Sequence, residues 1–199
     1  MANDDSGYSD TNKFCAMIGH VCLQWALLEL NLLGLLSSLE SVSTERAEIL
    51  FGGLDMLPRC GMAINLARHH RLPGPMIKRI ETVRKKLQSG IADRRNQAIH
   101  GAHARSDIPG HVRLRMVRWK GAKSVQHISI KDMHDLAMEI AALASEADAI
   151  WVDYGRWKFG GHSSEHVAGE FAHTNPSIRL KIAQYIKTRV DHLRGWFKS

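Results

Sequence analysis

A chain of 199 residues, 44% hydrophobic and 24% charged, has the size and composition of one globular domain with or without an appendage. At that length it can bury roughly 70% of its unfolded surface, so no staple is required. Three cysteines (Cys15, Cys22, Cys60) form neither an even framework nor a metal-type pair. That excludes a disulfide scaffold and points to reduced thiols in the cytoplasm.

The longest apolar run, Val21 to Leu36, is interrupted by Gln24, Glu29 and Asn31, and falls short of a membrane span. The acidic first residues lack the basic and apolar regions of a signal peptide. A cytoplasmic protein with no membrane partner is expected. The net charge of +7 is unevenly spread: residues 1–57 hold eight acids against Lys13 and Arg46, whereas residues 78–120 hold twelve Lys and Arg against three acids. Such a basic block would concentrate a polyanion, although a solvated cationic face has the same composition.

In chain order, residues 1–12 are small, polar and acidic, as in disordered segments. From Lys13 to about Leu39, Ile18, Val21, Cys22, Trp25, Leu28, Leu32, Leu35, Leu36 and Leu39 recur at helical spacing. The opposite side carries Leu23, Leu27, Leu30 and Leu33, so this helix belongs at a bundle centre or a subunit interface. Glu29 lies at the edge of the main stripe, either at a solvent rim or paired with Arg94 or Arg95. Ser43 or Thr44 caps a second helix that breaks near Gly52-Gly53 and resumes over Met56–His70, stopping at Leu72-Pro73-Gly74-Pro75.

A third helix is expected from Pro75 to about Ala104, with Gly90 as a weak point that bends it. Residues 111–119 and 124–130 alternate around a Lys120-Gly121-Ala122-Lys123 turn, which predicts a β-hairpin over about 111–130. Met133, Leu136, Ile140, Leu143, Ala144, Ala147 and Ile150 line one face of a fourth core helix, Ser129 to Tyr154. A Gly- and His-rich connector, about 156–175, leads to a basic amphipathic helix over 176–199. The connector holds His162-Ser-Ser-Glu165-His166, an inverted-zincin spacing. It follows Gly160-Gly161 and has Glu170 as its one nearby acid, so a loop is favoured and no metal or cofactor is expected.

The most informative stretch is Asp93-Arg94-Arg95-Asn96-Gln97-Ala98-Ile99-His100-Gly101. On a helix Asn96 and His100 are one turn and about 40° apart, whereas Arg95 is about 140° from His100. Arg95, Asn96 and His100 resemble the Arg-Asn-x-x-x-His signature of the HEPN superfamily, together with the upstream apolar helix carrying Trp25 and Glu29. The likeness extends to about Leu143. It implies an all-α, HEPN-like bundle of four to five helices over residues 13–155, here with an inserted hairpin. It also implies a metal-independent ribonuclease, in which two subunits bring their motif helices to one cleft.

The residue types suit that chemistry. Histidine moves protons near neutral pH, and the arginine fork matches two phosphate oxygens. The expected roles are His100 as general acid/base, Arg95 as phosphate clamp and Asn96 as positioning group. Glu29, Asp93, Arg94 and His103 are candidate supports, and Arg84, Lys85, Arg113 and Arg115 candidate RNA ligands. From the resemblance come a homodimer, a toxin or phage-defence role and a neutralising antitoxin protein. A helical module binding RNA, nucleotide or protein without catalysis stands as the alternative.

Overall fold

The computed structural model describes residues 6–106, 108, 110–117 and 123–159. Apolar residues on nearly every side produce one long helix, α1 (Ser6–Glu40), which starts seven residues before the expected Lys13. Leu28, Leu32, Leu35, Leu36 and Leu39 on it are fully buried. Each contributes on the order of 2 kcal/mol by leaving water. By length and composition Asn12–Glu40 is long and apolar enough to cross a membrane, contrary to the expectation that no such stretch exists, and half of its most apolar window is buried inside the fold.

After α1, Ser43 caps α2 (Thr44–Phe51) by accepting a hydrogen bond from the Arg46 amide at 3.3 Å. Gly52 ends that helix, and the buried Arg59 donates from Nη2 to the Gly52 carbonyl at 2.6 Å. A cation at a helix C-terminus offsets the partial negative charge there. α3 (Met56–His69) stops before Pro73, and α4 (Gly74–Lys86) starts with a proline in its first turn. Across Leu87–Ile91 the chain kinks at Gly90 (φ 113°) between α4 and α5 (Ala92–His100). Taking α4, the kinked segment and α5 as one bent rod, five helices are described.

α5 ends at His100 and not near Ala104. Gly101 is extended (φ −74°, ψ 146°), and the chain passes directly into β1 (Ala102–Arg105). β1 pairs antiparallel with β2 (His111–Val117), which pairs antiparallel with β3 (Lys123–Ser129), giving the order β1-β2-β3. The expected hairpin is therefore two strands of a three-stranded sheet. α6 (Ile130–Lys158) follows at once. Ser129 Oγ and Asp132 Oδ2 close a reciprocal capping box at its start, and these bonds hold the Asp132 carboxyl below its usual range. All seven residues expected on the α6 core face are buried.

The fold is mostly helical with a small antiparallel sheet. α1 is covered by α2, α3, α5 and β2. It meets α6 through Asn31 Nδ2, which donates to the Ala144 carbonyl at 2.9 Å, and through Trp151 Nε1, which donates to Ser38 Oγ at 2.8 Å. The chain divides into two compact units, Met1–Val152 and Asp153–Ser199. The expected connector beyond Phe159 and the 176–199 helix lie outside the described residues.

Two glycines act for different reasons. A Cβ at Gly34 would stand 2.7–2.8 Å from three ring atoms of Trp151. Gly34→Ala is expected to destabilise by about 1–3 kcal/mol despite its better helix propensity, read as a lower denaturation midpoint. Gly90 has open space around it but a φ of 113°. Gly90→Ala is expected to cost about 1–2 kcal/mol through backbone strain alone, measured the same way.

Candidate functional site

The motif helix α5 packs against α1 and β2. Around its axis Ala98 is buried, Arg95, Gln97 and Ile99 are half-buried, and Asp93, Arg94, Asn96 and His100 are exposed. The half-helical pattern follows from the residues: the small Ala98 takes the closest approach and the long polar chains take the rim.

Arg95 leans toward α1. Its guanidinium carbon lies 4.8 Å from the ring centre of Trp25, which is itself only 6% exposed. The Trp25 indole Nε1 donates to Glu29 Oε1 at 3.0 Å, one turn along the same helix. Arg95 Nη1 donates to Asn96 Oδ1 at 2.9 Å. Its Nε is buried without an acceptor. Both Nη2 donors also meet no acceptor among the described residues.

The expected pairing of Glu29 with Arg94 or Arg95 is therefore replaced by a relay. The carboxylate holds the indole N–H, and the indole face holds the Arg95 cation. Arg94 turns the other way and forms a fork with Glu139 on α6, Nη1 to Oε1 at 3.1 Å and Nη2 to Oε2 at 2.5 Å. Of two adjacent arginines, one is occupied by a carboxylate and the other keeps free donors.

His100 stands on the last turn of α5, one turn from Asn96 on the exposed side, without a hydrogen-bond partner among the described residues. The structure brings Arg95 and Asn96 into contact, and it places Asn96 and His100 on one exposed strip. It does not bring Arg95 and His100 into contact. Asp93 is exposed in the first turn of α5. His103, expected one helical turn beyond His100, sits instead in β1 opposite Leu114, because the helix has already ended.

Of the candidate RNA ligands, Lys85 and Arg113 are exposed. Arg84 is half-buried with its Nε unpartnered, and its charge acts on the buried Cys60 thiol. Arg115 lies in β2, opposite Ala102 and Val125. Sequence reasoning gave Trp25 no role of its own and missed Glu139. The Trp25–Glu29 spacing of four was a usable helix signal, but nothing local links residues 94 and 139. Among the described residues, no group of three His, Cys, Asp or Glu side chains is placed to hold a metal ion; the His162–His166 pattern lies outside them. The chain matches no protein-family model, no curated protein and no solved structure.

Proposed function

We propose that this chain is a metal-independent endoribonuclease of HEPN type. The observation that carries the reading is Arg95, held by an aromatic face and an amide, with guanidinium donors left open beside the exposed strip of Asn96 and His100. In the proposed reaction the 2′-hydroxyl loses its proton and attacks the adjacent phosphorus. The bond to the 5′-oxygen then breaks, and that oxygen takes up a proton. The products are a 2′,3′-cyclic phosphate and a 5′-hydroxyl end.

Arg95 stabilises the charge that builds on the phosphorane, Asn96 fixes the guanidinium, and His100 moves protons. Two proton transfers call for two groups, and one motif supplies one histidine. A homodimer with two motif helices at one cleft meets that need. Exposed Lys85 and Arg113 extend the contact to neighbouring phosphates. On this reading the protein acts in the cytoplasm as a toxin or defence effector held in check by an antitoxin protein.

A second reading, RNA or nucleotide binding without cleavage, is favoured by two observations: among the described residues no hydrogen bond fixes the His100 tautomer, and Arg95 leans toward Trp25. Purified protein separates the two. Cleavage of RNA should persist in excess chelator and leave 2′,3′-cyclic phosphate ends. His100→Ala should lower the rate by about 10² to 10⁴, and Arg95→Ala by about 10² or more. Arg94→Ala should change it by less than about threefold, because its fork already holds Glu139. RNA binding with steep salt dependence and no cleavage would select the second reading.

A further inference from the structure

We propose that Trp25 is a positioning residue for Arg95, and that Glu29 makes it one by fixing and polarising the indole; the catalytic consequence rests on the ribonuclease reading. An anchored guanidinium gives up donors to some anchors and none to others. A carboxylate anchor engages the fork itself, as Glu139 does with both terminal nitrogens of Arg94. An aromatic face attracts the same charge through the ring quadrupole and takes no N–H donor. Trp25 holds Arg95 in this second way at 4.8 Å, from a side that is almost wholly buried, where the attraction is least screened.

The indole is held in turn. Its N–H donates to Glu29 at 3.0 Å, which sets the ring plane and draws negative charge toward the ring. The carboxylate thus acts on Arg95 through Trp25, without contacting the guanidinium. Asn96 takes one donor from Nη1, and the buried Nε meets no acceptor. The donors that remain are the second on Nη1 and both on Nη2, enough for a two-point contact with one phosphate. A glutamate in place of the ring would compete for those donors.

The test uses the full-length chain and three variants, Trp25→Leu, Trp25→Phe and Glu29→Gln, each checked for folding by circular dichroism. The first readout needs no substrate: ring current from Trp25 should shift the Arg95 side-chain NMR signals upfield. Trp25→Leu should abolish that shift, whereas Trp25→Phe and Glu29→Gln should keep it in reduced form. The second readout is steady-state RNA cleavage. Trp25→Leu should lower kcat on the order of tenfold with KM within about twofold, and Trp25→Phe should recover part of the loss.

An Arg95 spectrum without upfield signals in the wild type would overturn the seat. So would a folded Trp25→Leu with wild-type kcat. Should Trp25→Leu not fold, a full-size Arg95 shift and wild-type kcat in both other variants would overturn it equally. If the wild type cuts no RNA, the ribonuclease reading fails by itself, and the NMR arm still decides whether Trp25 seats Arg95.

Discussion

A helix that is apolar on nearly every side has to be covered on nearly every side, and burying α1 is the constraint from which the remaining architecture follows. Its leucines gain most of their stabilisation only when α2, α3, α5, α6 and the sheet close around them. The helices that cover it are amphipathic, so each turns a polar face outward as it docks. α5 docks through Ala98 and leaves Asn96 and His100 outside. The motif's exposure is thus a by-product of how α1 is covered. Glu29 is the exception within that helix, a carboxylate among leucines that would be costly without a donor. The indole N–H beside it meets that requirement, and the Arg95 charge above the ring offsets it further.

A kink at Gly90 precedes α5, the helix that carries both motif arginines. Neighbours on a helix point about 100° apart, so Arg94 and Arg95 cannot serve the same neighbour. After the kink at Gly90 (φ 113°), Arg94 meets Glu139 on α6 and Arg95 meets Trp25 on α1. The chain accepts an unusual backbone at one glycine and obtains two differently anchored cations side by side.

Much of this was legible beforehand, and the gaps have physical causes. The α6 core face could be read from spacing because seven apolar residues repeat the helical period without interruption. The Ser43 cap and the Gly52 break were readable because capping is local. β1 was not. Ala102-His-Ala-Arg105 has no β-branched or aromatic residue and reads as helix; it is a strand because β2 lies alongside to pair with it. Contacts between distant positions were equally invisible. Periodicity puts Trp25 and Glu29 one turn apart, but only the packed chain shows that the ring between them and Arg95 replaces the expected ion pair.

The basic block shows the same limit in electrostatic terms. Counting charges along residues 78–120 treats each as equally available to a polyanion, and the fold does not leave them so. Arg79 is paired with Glu146 at 2.7 Å, Arg94 with Glu139, and Arg84 is half-buried against the α3 side. The Cys60 thiol records that last placement: burial pushes its pKa up to about 12 even though the Arg84 charge pulls it down. Among the residues of the block whose side chains are described, the exposed cations are Lys78, Lys85, Lys86, Arg94 and Arg113, and of these Arg94 is paired with Glu139. The field reaching a polyanion is therefore weaker than the sequence count suggests, and it is concentrated on α4 and the sheet. Within it Arg95 is distinct, since its charge rests on an aromatic face rather than a carboxylate, and Asn96 accepts from Nη1 alone.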